Sequence, residues 1–315
     1  MLTILALTFP FFALVLCGYA AVRRGMLPLL AIPGLNSFVL FFALPCMLYR
    51  FGAATPLAQL LDVGVFGVYL LCALLMVGVT LAATLSHRID WNNAAFGALV
   101  AAFPNTGFMG VPLLLALLGP RSSGPVIVTI VVDMVITSSL CIALSRLGGA
   151  GGGRAAAGKA LRGMLGNPMP WAIALGALSS WSGLALAKPL MQTVGLLADA
   201  ASPVALFTIG AVLARSQMNT ADAAPLGEYV PVALKKLILH PLLVLGVGHA
   251  AIALGAPLEP FALNVLVLVA CLPSASNVAM LSERFGADTG RIARIILVST
   301  ALSFLTFAAA VTLLI

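Results

Sequence analysis

The chain has 315 residues, of which 62% are hydrophobic and 8% are charged, with a formal net charge of +7 and a mean hydropathy of +1.15. A soluble globular domain carries roughly a quarter charged residues, so this composition excludes a soluble domain and predicts a polytopic membrane protein. At about 20 residues per spanning helix, the length accommodates about nine to eleven spans and leaves no room for a soluble domain of ordinary size.

Apolar runs bounded by charged residues, Gly or Pro predict ten spanning helices. In chain order they are Leu2–Val22, Pro33–Tyr49, Val63–Ser86, Trp91–Leu118, Pro125–Leu147, Pro168–Ala187, Ala198–Ala214, Tyr229–Leu254, Pro260–Ser282 and Arg291–Ile315. The first run is followed by Arg23 and Arg24, an order that favours a retained helix over a cleaved signal peptide. The predicted fold class is therefore an all-α membrane protein with ten transmembrane helices.

The distribution of Lys and Arg predicts the orientation of these spans. If the first helix runs from outside to inside, thirteen of the sixteen basic residues fall at cytoplasmic ends, and only Arg50, Arg121 and Lys188 fall outside. Cytoplasmic loops carry the excess of positive charge in membrane proteins, so both termini are expected outside. The +7 charge is then a topology signal, and no nucleic-acid partner is expected.

Local matches between the two halves predict an internal repeat. The Gly- and Ala-rich stretch 148–166 reads as a cytoplasmic linker between a first five-helix repeat, 1–147, and a second, 167–315. Offsets of 158, 165 and 169 residues pair Gly18 with Gly176, Phe42 with Phe207, and Pro104 with Pro273. Because five spans is an odd number, the second repeat must be inverted in the membrane, as in many secondary transporters.

Two polar stretches with helix breakers interrupt otherwise apolar segments. They are Pro104-Asn105-Thr106-Gly107 in the fourth span and Pro273-Ser274-Ala275-Ser276-Asn277 in the ninth. Interrupted backbone at membrane depth is tolerated only where it is buried in protein or lines a cavity. Interruptions in matching places of two halves point to the binding site of a transporter.

The residue types at these breaks suit a bound carboxylate. Proline stops a helix, and Asn105 and Ser274 are good N-cap residues for the restarting half. The exposed N–H groups and positive dipole end of that half attract anions, while Gly107 permits close approach. We expect substrate contacts at Asn105, Thr106, Gly107, Ser274, Ser276 and Asn277, with Pro104 and Pro273 as crossover prolines. The alternative is that these side chains only satisfy the backbone groups freed by the breaks.

Other polar residues lie within or near the predicted spans. Asp133 is the one acidic residue well inside a span, and an intramembrane carboxylate is by default a functional-site hypothesis. We expect it to carry a coupling proton or to complete a Na⁺ site; the alternative is a hydrogen-bonded partner for a neighbouring helix. Asp199 is expected to cap the start of the seventh span. Lys235 and Lys236 are expected to snorkel to the cytoplasmic face, and His240 to be a satisfied core residue or a titrating one.

The spacing of titratable residues argues against an enzyme. No His-x-x-x-His, Cys-x-x-Cys or paired-carboxylate pattern occurs within a span, so we expect no metal, no cofactor beyond a coupling ion, and no catalysis. A channel is less favoured than a carrier because no ring of charges is apparent.

Three stretches resemble the auxin efflux carrier family. The run Pro104-Asn105-Thr106-Gly107-Phe108-Met109-Gly110-Val111-Pro112 resembles its fourth-helix motif, Leu272–Asn277 is similar to its ninth-helix crossover, and Pro203–Gly210 to its seventh helix. The likeness covers essentially the whole chain. Plant members carry Asn-Pro-Asn at the crossover, whereas here Phe103 precedes Pro104, and their long cytoplasmic loop is absent.

The resemblance implies a ten-helix fold with broken helices 4 and 9, related to the bile-acid sodium symporters. It implies elevator-type movement of a transport domain (spans 3–5 and 8–10) against a scaffold domain (spans 1, 2, 6 and 7). The implied substrates are carboxylates such as malonate, malate or auxin. We further expect transport across the bacterial inner membrane, coupled to H⁺, to Na⁺ or to no ion, and a homodimer through the scaffold. The departures favour a small organic acid; the alternative is a sodium-coupled carrier of larger amphipathic acids.

Overall fold

The structure, a computed structural model, describes residues 2–56, 62–147, 168–184, 186–218 and 225–314. Within these ranges the chain is helical and contains no β-strand. The helices are α1 (Leu2–Arg23), α2 (Ala31–Ala54), α3 (Val63–Thr84), α4 (Trp91–Ala102), α5 (Thr106–Leu118), α6 (Pro120–Leu144), α7 (Pro168–Ser182), α8 (Lys188–Met218), α9 (Leu226–Ala253), α10 (Pro260–Ala270), α11 (Asn277–Phe285) and α12 (Thr289–Leu314). The predicted linker 148–166 lies outside the described residues.

Six of these helices are long and apolar enough to cross a membrane, namely α2, α3, α6, α8, α9 and α12. Helices satisfy every backbone hydrogen bond internally, which the hydrocarbon core of a bilayer requires. The all-helical, multi-pass membrane class predicted from composition is therefore confirmed. Two predicted spans each contain a pair of helices: the fourth contains α4 and α5, and the ninth contains α10 and α11.

The start of the seventh predicted span is wrong, and with it the role given to Asp199. Helix α8 begins at Lys188, about three turns before Asp199. Asp199 therefore lies inside the helix and cannot cap it. Its Oδ1 instead accepts a hydrogen bond of 2.7 Å from Nη1 of Arg50 in α2. Sequence hydropathy missed the first turns of α8 because they are punctuated by Lys188, Pro189 and Gln192.

Contacts divide the chain into two compact units. The first unit comprises Met1–Asp62, Gly107–Val128 and Asn167–Thr220, and the second comprises Val63–Thr106, Thr129–Gly166 and Ala221–Ile315. Helices α1, α2, α7 and α8 thus fall in the first unit, and α3, α4 and α9–α12 in the second. The division cuts α5 after its first residue and α6 within its third turn.

Glycines bring helix backbones into contact within the first unit. A Cβ added at Gly18 of α1 would lie 1.8 Å from the carbonyl oxygen of Phe207 in α8, and one at Gly176 of α7 would lie 2.5 Å from that of Tyr49 in α2. Small residues that permit such close approach are typical of helix packing in membranes, where dispersion contacts replace the hydrophobic drive. The two glycines paired by the sequence repeat therefore both occupy tight helix contacts.

A buried arginine joins three helix ends within the second unit. Arg291, at the start of α12, is only 2% exposed. Its Nη1 donates to the carbonyl oxygen of Asn93 in α4 at 2.9 Å, and its Nε donates to that of Glu228 in α9 at 3.0 Å. Gly97 leaves room for the guanidinium, since an added Cβ would lie 3.1 Å from it.

Candidate functional site

The two interruptions predicted from the sequence contact each other within the second unit. Helix α4 ends at Ala102 and helix α10 ends at Ala270. The N–H of Asn105 donates to the carbonyl oxygen of Pro273 at 2.8 Å, and the N–H of Ala275 donates to that of Phe103 at 2.9 Å. These two bonds form an isolated antiparallel β-bridge between Pro104 and Ser274.

This bridge satisfies backbone groups that the breaks would otherwise leave free. Proline has no N–H to donate, and the two donors of the bridge are the N–H groups of Asn105 and Ala275. The N–H of Ser274 also finds a partner, the hydroxyl oxygen of Ser299 in α12, at 3.2 Å. The backbone at the breaks is thus bonded to backbone and to Ser299. These bonds are made by backbone groups and by Ser299, and none of them uses a side chain of the predicted site residues.

Several side chains around the bridge are buried with polar atoms unused. Thr106 and Ser274 are fully buried, and Asn105 is 4% exposed. The Oγ1 of Thr106, the Oγ of Ser274 and the Oδ1 of Asn277 are buried and have no hydrogen-bond partner among the described residues. A buried polar atom without a partner costs about 1–3 kcal/mol, and native proteins contain few of them. Three such atoms on Ser274 of the bridge and on residues two or three positions from it suit a bound ligand with hydrogen-bonding groups.

The helix that restarts after the second break begins later than predicted. Asn277 is the first residue of α11, and Ser276 occupies the N-cap position without a side-chain capping bond. The prediction that Ser274 caps this helix is therefore wrong, because Ser274 lies three residues earlier, in the bridge. The first N–H groups of α11 and its positive dipole end lie at Ser276 and Asn277, both of which are only partly buried.

Gly107 is the predicted site residue that the structure places in the first unit. A Cβ added there would meet the Leu44 side chain at 3.7 Å, an ordinary packing distance. No atom of the described residues therefore approaches Gly107 more closely than an added Cβ would allow, and close approach by a ligand stays a prediction. The remaining predicted contacts and both prolines belong to the second unit.

Asp133 is fully buried in the second unit and accepts hydrogen bonds at both carboxylate oxygens. The hydroxyl of Tyr69 in α3 donates to Oδ2 at 2.7 Å, and Thr137 Oγ1 donates to Oδ1 at 3.3 Å. Asp133 lies in a π-helical turn, Val132–Thr137, and such turns frequently occur at functional sites. Among the described residues, no three His, Cys, Asp or Glu side chains come together as a metal site requires.

Lys236 is the site residue that sequence reasoning missed. The prediction that it snorkels to the membrane surface is wrong, because its side chain is completely buried. Its Nζ donates to the carbonyl oxygen of Ala270 at 2.6 Å and lies 3.2 Å from His240 Nδ1. Ala270 is the last residue of α10, so the ammonium sits at the negative end of a helix dipole. Lys235, its neighbour, is only partly buried.

We expected His240 to be a core residue with satisfied hydrogen bonding, and this holds for only one of its two ring nitrogens. Nδ1 faces Lys236, whereas the buried Nε2 has no partner among the described residues. Lys236 lies within another π-helical turn, Lys235–Leu239, and His240 follows that turn directly. The signal available in the sequence was Lys236 followed four residues later by His240 within an apolar segment, a spacing that places both on one helix face.

The chain is a membrane transporter. It matches the family described as "Membrane transport protein" over residues 3–151 and 153–311, and it belongs to that family. It is 30% identical over 329 residues to the "Putative malonate transporter" of Rhizobium meliloti (strain 1021), an alignment that covers 97% of this chain and 94% of that protein.

Two further relatives align with only part of this chain. The chain is 30% identical over 199 residues to the "Uncharacterized transporter YfdV" of Escherichia coli (strain K12), covering 62% of this chain and 60% of that protein. It is 28% identical over 156 residues to "Auxin efflux carrier component 3a" of Oryza sativa subsp. japonica, covering 45% of this chain and 24% of that protein. The resemblance to the auxin efflux carrier family is confirmed.

Proposed function

We propose that this protein is a secondary active transporter of small organic anions, such as mono- or dicarboxylates, which bind at the paired helix interruptions. The observation that carries the proposal is the set of three buried, unpartnered polar atoms on Thr106, Ser274 and Asn277. They belong to Ser274 of the bridge and to residues two or three positions from the bridge, and without a partner among the described residues they remain available to a ligand.

The surroundings of the bridge favour a small anion. The N-terminal end of α11 supplies free N–H groups and partial positive charge next to Ser276 and Asn277. Thr106 and Ser274 are fully buried, which favours a compact ligand over a large amphipathic acid. A relative named for malonate covers nearly the whole chain, and malonate is a compact dicarboxylate.

The proposed architecture is ten transmembrane helices in two inverted repeats. Two features support it: an antiparallel bridge such as that of Pro104 and Ser274 has local two-fold symmetry, and the repeat-paired Gly18 and Gly176 both occupy tight helix contacts. The distribution of basic residues supports an orientation with both termini outside, and the proposed location is the bacterial inner membrane. A homodimer through the scaffold belongs to the same proposal.

The proposed mechanism is elevator-type alternating access, with the second unit as the transport domain. Support comes from the grouping of the bridge, Asp133 and Lys236 in that unit, and of α1, α2, α7 and α8 in the other. These four helices correspond to the predicted scaffold spans. The second half of the fourth span, α5, groups with the first unit, where the scaffold prediction did not place it.

Purified protein in liposomes tests the proposal, with labelled malonate and malate as substrates under imposed proton, sodium or voltage gradients. We expect saturable flux of at least one small carboxylate; its absence under every gradient would overturn the carrier function. Asn105→Ala and Asn277→Ala should abolish uptake with unchanged melting temperature. Asn264→Ala, a matched substitution on α10 away from the bridge, should transport like the wild type. Normal uptake by both Asn105→Ala and Asn277→Ala would remove these residues from the site.

A further inference from the structure

The burial of Lys236 calls for a function. Moving an ammonium out of water is costly unless partners replace its hydration. Its partners here are a carbonyl oxygen, at Ala270, and the Nδ1 of His240. Asp133 and Cys271 act on it electrostatically, but Lys236 forms no direct salt bridge within the described residues. An apolar side chain would pack in an apolar helix without this cost, so stability alone does not explain the lysine.

The Lys236 ammonium lies at the end of a half-helix, where transporters with discontinuous helices bind cations. In transporters with broken helices, the carboxyl ends of half-helices and unwound carbonyls coordinate the coupling Na⁺ or H⁺. Ala270 closes the half-helix α10 directly before the interruption. Lys236 therefore places a cation belonging to the protein at the negative end of the broken helix.

We propose that Lys236 is a tethered cation that replaces a coupling sodium ion, and that the proton on its ammonium, shared with His240, is the ion coupled to substrate transport. This inference rests on the proposed carrier function. It assigns the coupling step to Lys236 and His240 and predicts that transport does not need Na⁺.

The groups around Lys236 form a continuous titratable cluster in the second unit. The rings of His240 and Tyr69 have centroids 6.2 Å apart, and the Tyr69 hydroxyl donates to Asp133. Cys72 lies beside Tyr69 and Cys141 beside Asp133. From α12, Arg291 bonds to the Glu228 carbonyl in the first turn of α9, and α4 contributes no titratable side chain.

The proton balance is simple. Neutral Nζ takes one proton from water on one side of the membrane, and the ammonium returns one proton to water on the other side. His240 Nδ1, 3.2 Å away, can accept and return this proton without net change. The unpartnered Nε2 gives the imidazole a second site for the same exchange.

Charge links this proton to the substrate. Lys236 bonds to the residue that precedes the interruption, and the proposed anion site lies at that interruption. An anion is stabilised when the nearby lysine is charged, and the lysine holds its proton more tightly when the anion is bound; such coupling is reciprocal. Both sites belong to the second unit, so the anion and the proton are expected to move together, as a symport.

The test uses proteoliposomes in Na⁺-free buffer, with the membrane potential clamped at zero by potassium and valinomycin. For one proton per anion, an inward gradient of one pH unit should drive about tenfold accumulation of labelled malonate or malate in the wild type. A sodium gradient alone should drive none. Lys236→Met should retain exchange of internal for external substrate but lose accumulation, whereas the matched Lys235→Met should accumulate like the wild type.

Each result decides the question. Accumulation driven by sodium but not by protons, or wild-type accumulation by Lys236→Met, would overturn the coupling role. If Lys236→Met does not fold, His240→Gln gives the second readout: accumulation under the pH gradient should fall, and an unchanged ratio would overturn the inference. Wild-type exchange without any response to the pH gradient contradicts this inference alone, whereas absence of wild-type exchange contradicts the carrier function itself.

Discussion

Removing the unused hydroxyl groups beside the bridge should weaken substrate binding without weakening the fold. The substitutions are Ser274→Ala and Thr106→Val, each of which deletes a fully buried, unpartnered hydroxyl with little change in side-chain shape. In a protein whose hydroxyl makes a structural hydrogen bond, the same change normally destabilises. The two possibilities therefore differ in the sign of the stability change in the ligand-free protein.

The expected magnitudes follow from the hydrogen bonding. A buried polar group without a partner costs about 1–3 kcal/mol, so replacing the hydroxyl with hydrogen in Ser274→Ala or with a methyl group in Thr106→Val should leave the ligand-free protein unchanged or up to about 1 kcal/mol more stable. A hydrogen bond from a hydroxyl to a charged ligand contributes about 1.5–3 kcal/mol. Its loss should therefore weaken carboxylate binding roughly 10- to 100-fold.

The assay is thermal unfolding in detergent with and without a transported carboxylate, combined with the KM for exchange in liposomes. Ser299→Ala is the matched control, for which we expect the opposite change in the stability of the ligand-free protein. Its hydroxyl oxygen accepts the N–H of Ser274 at 3.2 Å, so its removal leaves that N–H buried and unpaired. The control should destabilise the ligand-free protein by about 1–3 kcal/mol.

Two outcomes would contradict these predictions, one for the stability of the ligand-free protein and one for substrate affinity. A clear loss of ligand-free stability in both Ser274→Ala and Thr106→Val would show that these hydroxyls have structural partners. Unchanged substrate affinity in both variants would show that the ligand does not use them.

The remaining predictions concern packing, coupling and surface charge. Gly18→Ala should prevent folding or strongly destabilise the protein, because the new Cβ would lie 1.8 Å from a carbonyl oxygen of α8. The control Gly67→Ala should be tolerated, because its Cβ would meet nothing within 4 Å. Equal melting temperatures of the two variants would contradict the tight contact at Gly18. Asp133→Asn should change the pH dependence of transport, and an unaltered profile would exclude Asp133 from coupling. Disrupting the exposed pair of Arg50 and Asp199 with Arg50→Ala should cost no more than about 1 kcal/mol, measured by thermal unfolding; a larger loss would show a structural role.

The fold class and the two helix interruptions were predictable because bilayer physics constrains the sequence strongly. A span must be apolar for about 20 residues, so hydropathy located the segments with small errors. Proline and polar residues inside such a segment are conspicuous, and the breaks at Pro104 and Pro273 were found on that ground. Their order in the two halves further indicated that they belong together, and the structure brings them into contact through the bridge.

Tertiary contacts are what the sequence alone could not supply. Hydropathy assigned Lys236 to the surface because a lysine near a helix end usually reaches water. The carbonyl oxygen of Ala270, 34 residues away in sequence, holds it inside instead. Similarly, the capping role predicted for Ser274 depended on where α11 restarts, and the bridge delays that start to Asn277. Both errors arose from partners that are distant in sequence.

Substrate protection of a cysteine at position 276 tests whether the carboxylate binds at the paired interruptions, since Ser276 is partly buried and lies next to the first residue of α11. The variant Ser276→Cys, with the native cysteines replaced, would be labelled by a maleimide with and without saturating transported carboxylate; Leu254→Cys, at the highly exposed end of α9, is the control. We expect substrate to slow labelling at position 276 and to leave labelling at position 254 unaffected. Equal labelling at position 276 with and without a substrate that the protein transports would contradict binding at the paired interruptions.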